Sequence, residues 1–261
     1  MVQKISYSVV FDLDETLGHF VQLGIFNDLL EKYYKKPISS NNFFKLMDIF
    51  PEVLRPNILK ILSYLKQKKI KGICNKVIIY TNNQGHKEWT IKIKDFLEKK
   101  LKYKLFDQII GAYKVHNKLM EPLRTSHDKT SRDLLNIANL PENSKVCFLD
   151  DLYHPLMDND NTYYINVTPY HYTYTFTEMA ERYYKYNSNK IKNKSKFINF
   201  IINESKAYRF KHTDKTTSET NNDIEVGKEI LNHLKNFFKL NKKNTTKKNR
   251  LINKNLTRKK Y

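Results

Sequence analysis

Apolar positions in this chain fall into short continuous runs, separated by stretches with helical spacing. Residues 5–11 are mostly β-branched or aromatic, read as a buried strand, and end at Asp12. Residues 26–35 (FNDLLEKYYK) and 43–50 read as short helices around a turn at 37–42. Pro56 suits a first helical turn, and a helix is expected through about Lys69 with Ile58, Ile61, Leu62 and Leu65 as its apolar stripe. Residues 77–80 form the second clear strand, with a turn over 81–85. Trp89, Ile93, Phe96 and Leu97 share one face of a helix over 89–99, and 106–111 is a weaker strand. A helix over 129–138, capped near Ser126 or Asp128, precedes strands at 146–149 and 163–167.

Continuous apolar strands alternating with helices imply an α/β fold: a Rossmann-like three-layer sandwich around a mostly parallel sheet covered on both faces. In such sheets ligand groups gather beyond the carboxyl ends of the strands. Asp12, Thr81 and the adjacent Asp150 and Asp151 each directly follow a strand. The expected organisation is a catalytic domain over 1–210 with a small helical insertion at about 18–54. A polar extension over 211–261 follows, with one amphipathic helix at 226–240 (Ile230, Leu231, Leu234, Phe237, Phe238) and a disordered basic tail. The Tyr-rich stretch 170–186 reads as packing in preference to a platform for stacking bases.

Composition narrows the function classes. An apolar share of 40% in 261 residues supports one full core. Every strongly apolar run is shorter than about ten residues, which excludes a helical membrane span. The opening MVQKISYSVVFDLDET lacks a signal-peptide pattern, so an intracellular protein, cytoplasmic or nuclear, is expected. Cys74 and Cys147 fall in or beside buried strands and read as structural. His86, His116, His127, His154 and His171 show no ligand spacing and read as surface or loop residues. The formal charge is +20, of which 241–261 holds nine basic residues and no acid, while 211–240 is balanced. About +11 is left on 1–210, enough to draw polyanions and allow nonspecific nucleic-acid contact.

The chemistry concentrates in VVFDLDETL, residues 9–17. Asp12, at a strand end, is placed to attack phosphorus and form an aspartyl-phosphate. Its approach to an anionic phosphate calls for a hard divalent cation, which Mg²⁺ satisfies with oxygen ligands. Asp14 can protonate the leaving oxygen and then activate water, while Thr16 steadies the loop. The Thr81 hydroxyl and the Asn82 and Asn83 amides can grip phosphate oxygens. Lys129 can set a fixed positive charge beside Asp12, with Arg132 and Arg124 as alternatives. Of the final pair, Asp151 is assigned to the metal and Asp150 to Lys129, though the reverse order is equally open from spacing.

These elements resemble the aspartate-nucleophile phosphatases of the haloacid-dehalogenase superfamily. DLDET at 12–16 is similar to the first family motif, IIYTN at 78–82 to the second, Lys129 to the third and LDD at 149–151 to the fourth. The resemblance spans 5–170 and implies catalytic Asp12, Asp14, Thr81 and Lys129, with phosphate held by Thr81, Asn82 and Lys129. It further implies Mg²⁺ on Asp12, the Asp14 backbone carbonyl and Asp151, with Thr16 and Asp150 supporting. DLDETL, LRPN at 54–57 and IIYTN resemble the phosphatases acting on the phosphoserine repeats of the RNA polymerase II tail. TNNQG at 81–85 is also similar to the turn of polynucleotide 3′-phosphatases and histidinol-phosphate phosphatases, with one Asn inserted, and Glu121–Pro122 stands where those enzymes carry Lys-Pro. The Lys- and Asn-rich composition is compatible with an AT-rich microbe or a large DNA virus.

Neither family insertion point leaves room for a full cap, so a phosphorylated macromolecule is expected as partner, protein ahead of nucleic acid. The alternatives are a nucleic-acid-end or nucleotide phosphatase, and a non-catalytic binding module on the same fold.

Overall fold

The computed structural model describes residues 5–240 apart from His86. The expected disordered tail and the placement of His86 lie outside the described residues. The elements run β1 (Tyr7–Phe11), α1 (Val21–Tyr34), α2 (Ser40–Ile49), α3 (Ile58–Ile70), β2 (Lys76–Tyr80), α4 (Lys87–Leu101) and β3 (Gln108–Ile110). A small hairpin, β4 (Lys114–Val115) and β5 (Lys118–Leu119), leads to α5 (Ser131–Ile137), β6 (Lys145–Asp150) and β7 (Thr162–Asn166). Helices α6 (Phe176–Asn187), α7 (Lys194–Ser205) and α8 (Thr217–Leu240) complete the described chain.

The main sheet has five strands in the order β3-β2-β1-β6-β7, every pairing parallel. The chain builds outward from β1 to β3, then returns to lay β6 on the other side of β1. The sheet therefore changes direction between β1 and β6, the place where doubly wound sheets open a ligand crevice.

Alternation along each strand builds the three layers. Val9 and Phe11 of β1, Val77 and Ile79 of β2, and Cys147 and Leu149 of β6 face one core. Val10, Ile78, Tyr80, Val146 and Phe148 face the other, which Leu134 of α5 and Ala138 just after it close. The first core is the larger and takes in Leu23 and Phe26 of α1, Phe43 and Met47 of α2, and Leu231 and Leu234 of α8. The mixed α/β sandwich read from the sequence is the observed one.

Several boundaries differ from expectation. Helix α1 starts at Val21, five residues early, because Gln22, Leu23 and Phe26 are already buried. Helix α5 starts at Ser131, not Lys129, because the Thr130 side chain caps it by accepting from the Asp133 N–H at 2.9 Å. Lys129 thus precedes the helix, while Arg132 lies within it. Helix α8 starts nine residues early, where Thr216 and Glu219 exchange hydrogen bonds of 2.8 and 3.2 Å in a capping box. Helix α7 went unread despite its Asn193 cap and its buried Phe197 and Ile201. In the Tyr-rich stretch, Tyr170, Tyr174 and Tyr183 are buried. No helix among the described residues is long and apolar enough to cross a membrane.

Candidate active site

The Asp12 N–H donates to the Leu149 carbonyl at 2.9 Å, extending the β1–β6 ladder one residue past Phe11. Asp12 is thereby fixed beside Asp150, at the point where the sheet changes direction. On the other flank of β1, the Thr81 N–H continues the β2–β3 ladder to the Ile110 carbonyl at 2.9 Å. Thr81 Oγ1 accepts from the Asn83 N–H at 3.0 Å, which turns the chain back toward β1. Asn83 Nδ2 then donates to Asp14 Oδ2 at 2.6 Å.

Lys129 reaches the same place from the start of the α5 segment. Its Nζ lies 2.5 Å from Asp12 Oδ1 and 2.7 Å from Asp150 Oδ2, with its side chain 2% exposed. The loop leading to it is held by Arg124, which is buried and donates to the Gly111, His127 and Asp128 carbonyls at 2.8, 2.9 and 3.2 Å. Arg124 also holds Asn82 Oδ1 at 2.7 Å, while Asn82 Nδ2 donates to the His127 carbonyl at 3.1 Å. Both side chains are therefore committed to the loops around the site, and Asn83 supplies the amide that meets a carboxylate.

Asp12, Asp150 and Asp151 each offer a carboxylate oxygen, all within 4.8 Å of one another. Burial pushes Asp12 well above the usual carboxylate range, and the Asp150 and Asp14 charges add to it against the opposing Lys129. Burial and the Asp150 charge push Asp151 up to about 6. Burial likewise raises Asp14 to about 6, against the Asn83 hydrogen bond. Burial acts to raise Asp150 too, but Lys129 and His154 hold it below its ordinary value. Desolvation acts against the Lys129 charge, yet Asp12 and Asp150 outweigh it and raise its pKa. One lysine thus faces three carboxylates, and Asp14 Oδ1 is buried without a partner. An excess of hard anionic oxygens of this kind fits a divalent cation.

The loop after Asp12 is held in an unusual shape. Glu15 has φ 55°, a left-handed conformation that costs a non-glycine residue about 1–2 kcal/mol. Arg55, 1% exposed, holds this conformation in place. Its Nε donates to the Thr16 carbonyl at 2.6 Å and its Nη2 to the carbonyls of Glu15 and of Thr168, the latter at 2.8 Å. The Tyr170 N–H also donates to the Glu15 carbonyl at 2.9 Å. Thr16 Oγ1 accepts from the Asp151 N–H and donates to Asp151 Oδ1, both at 3.2 Å, which ties the loop to the end of β6.

Neither a protein-family model nor a curated protein matches the chain. The Rossmann-like fold and the buried cluster of Asp12, Asp150 and Asp151 are consistent with the haloacid-dehalogenase resemblance and with a metal-dependent hydrolase site.

The structure brings together Asp12, Asp14, Thr16, Thr81, Lys129, Asp150 and Asp151 at the carboxyl ends of the strands. The Asn82 side chain is engaged by Arg124 and the His127 carbonyl. Sequence reasoning missed Arg55 as the loop clamp; it also put Pro56 in the first turn of α3, whereas the helix starts at Ile58 after its N-cap Asn57. It also missed His154, read as a surface residue. That ring is 11% exposed, and its Nε2 lies 3.3 Å from Asp150 Oδ2. An i,i+4 spacing from an aspartate was the available signal.

Proposed function

We propose that this chain is a Mg²⁺-dependent phosphomonoester hydrolase that works through an aspartyl-phosphate on Asp12. The observation that carries this reading is the buried Lys129 bridging Asp12 and Asp150, with Asp151 in the same cluster. Such a constellation supplies a nucleophile, a fixed charge and a cation site within one crevice.

In the first step an Asp12 carboxylate oxygen bonds to phosphorus while the bond from phosphorus to the substrate oxygen breaks. Asp14, raised to about 6, gives its proton to that leaving oxygen. In the second step a water oxygen bonds to phosphorus, Asp14 takes the water proton, and the Asp12 carboxylate is released with inorganic phosphate. Lys129 offsets charge on the transferred group and is held in position by Asp150. The Thr81 oxygen already accepts from Asn83, which leaves its hydrogen to donate to a phosphate oxygen. Asp12, Asp151 and the Asp14 backbone carbonyl would hold Mg²⁺, which lowers the repulsion between carboxylate and phosphate.

The favoured substrate is a phosphoserine or phosphothreonine protein. Helices α1 and α2 bury Leu23, Phe26, Phe43 and Met47 in the main core, so they are not free to close over the crevice as a lid. Leu119 of β5 and Leu123, Leu152, Tyr153 and Leu156 on the segments after β5 and β6 are exposed and offer an apolar rim to a polypeptide. A nucleic-acid end is the second reading, favoured by the surplus of about +11 on residues 1–210. Phosphate release with Mg²⁺ from matched phosphopeptides and 3′- or 5′-phosphorylated oligonucleotides separates the two, with Asp12→Asn as the control. Peptide-selective release lost in the variant supports the reading, and release from neither panel contradicts it.

A further inference from the structure

A second cluster of metal-ligating side chains lies on the other side of the nucleophile loop. Glu15, His19 and His171 each offer one donor atom, and these lie within 4.8 Å of one another. Neighbouring ligands of a tetrahedral zinc ion stand roughly 3.3 Å apart, so small side-chain rotations would close the set. Glu15 Oε1 and His19 Nδ1 are already at 2.9 Å.

A simple hydrogen bond between Glu15 and His19 would explain that contact but not the rest of the cluster. His19 is 8% exposed, and its Nε2 is enclosed without any hydrogen-bond partner. That nitrogen lies across the ring from the Glu15 contact, so the donor His19 offers beside Glu15 is Nδ1. The His171 ring stands edge to face against the His19 ring at 5.1 Å between centroids, which brings two imidazoles together beside one carboxylate. Both rings line a cavity of about 290 Å³ that also includes Thr173, Asp214 and Glu219. The cavity gives water room to complete a coordination shell. Lys215 lies on the same cavity, but its charge is paired with Asp223.

We propose that Glu15, His19 and His171 bind a borderline divalent ion of the zinc class, separate from the cluster around Asp12. Two imidazoles and one carboxylate form a donor set that such ions prefer over Mg²⁺, which takes oxygen ligands. The ion would act as a clasp. Glu15 lies between Asp14 and Thr16, and His171 belongs to the segment that follows β7. Coordination would therefore tie the nucleophile loop to that segment, alongside the Arg55 and Tyr170 hydrogen bonds to the Glu15 carbonyl.

The test is calorimetric titration of Zn²⁺ into the metal-stripped full chain with Mg²⁺ in excess. Wild type is expected to bind one Zn²⁺ per chain at this site, and Asp12→Asn and Asp151→Asn are expected to keep it. His171→Gln is expected to weaken binding at least tenfold; because His171 is exposed, this variant tests the site without disturbing the core. Co²⁺ substitution gives a second readout, with visible d–d bands of a low-symmetry site present in wild type and lost in His171→Gln. Unchanged Zn²⁺ affinity in His171→Gln, or loss of the ion in Asp12→Asn instead, would overturn the assignment.

Discussion

Asp150 Oδ2 lies 2.7 Å from Lys129 Nζ, and the two side chains are 1% and 2% exposed. A lysine sealed from water keeps its charge only where carboxylates surround it, and Asp150 is the partner that leaves Asp12 room to act. Asp150 is itself anchored, since its Oδ1 accepts from the Leu152 N–H at 2.9 Å. The ammonium therefore sits at a position set by β6, with Asp12 at 2.5 Å on its other side.

Replacing Lys129 with Met should abolish turnover and destabilise the metal-free protein by about 3–5 kcal/mol, the cost of leaving buried carboxylates unpaired. The loss should be larger at pH 8 than at pH 5, because protonation of the carboxylates relieves their repulsion at low pH. Denaturant unfolding of wild type and variant at the two pH values measures this. A variant as stable as wild type at pH 8 would contradict the paired state of Lys129.

Asp14 is raised to about 6 by burial, so its acid form is present below that value and lost above it. The rate of phosphate transfer from phosphoserine should accordingly fall as pH rises through about 6, once Mg²⁺ has brought Asp12 into its ionised form. Asp14→Asn should lower turnover about 10²–10⁴-fold on phosphoserine. The loss should be much smaller on p-nitrophenyl phosphate, whose leaving group needs no proton. Profiles of kcat/KM against pH for both substrates provide the check.

Asp14 and Asp151 both sit near 6 in the folded chain, above an ordinary aspartate value of 3.8. The folded state thus holds their protons more tightly than the unfolded state. The stability they contribute is fully present below about pH 4 and lost as pH rises through about 6. Mg²⁺ should reverse that loss: its effect on Tm should be small at pH 5 and grow toward pH 8. Asp151→Asn should weaken this Mg²⁺ response at least tenfold in concentration, whereas Asp150→Asn should retain more of it. Equal effects of the two substitutions would contradict the division of labour between them.

Gly227 in α8 tests how firmly the C-terminal helix is seated. A Cβ at that position would drive into the Pro56 carbonyl oxygen and crowd the Asn57 side chain. Asn57 Nδ2 donates to the Ile224 carbonyl at 3.2 Å in the same contact. Gly→Ala inside a helix ordinarily stabilises by about 1 kcal/mol. Gly227→Ala should instead lower Tm, because it pushes α8 off the start of α3. A raised Tm would mean that α8 packs more loosely than this contact implies.

The strands and the acidic positions at their ends were legible because both depend on local pattern. Continuous apolar runs such as VVF and VCFL require burial on two faces, and a carboxylate directly after one has a single place to go. Contacts joining distant segments were not legible. The role of Arg55 depends on carbonyls at Glu15, Thr16 and Thr168, brought together only by the fold. The same is true of His19 and His171, which are 152 residues apart and share no spacing rule. Asn82 and Asn83 looked interchangeable in sequence, and the turn at Thr81 separates them, sending one to Arg124 and the other to Asp14. The early start of α8 was readable, since Thr216 and Glu219 form a capping box that the apolar stripe alone does not include.

The central claim is that phosphate becomes covalently attached to Asp12. Acid-quenching the enzyme during turnover, reducing it with borohydride and sequencing its peptides by mass spectrometry tests this directly. An aspartyl-phosphate is reduced to homoserine, so homoserine should replace aspartate at position 12, only with substrate and Mg²⁺ present. Turnover with an unmodified Asp12, or homoserine at Asp14, Asp150 or Asp151 instead, would contradict the account.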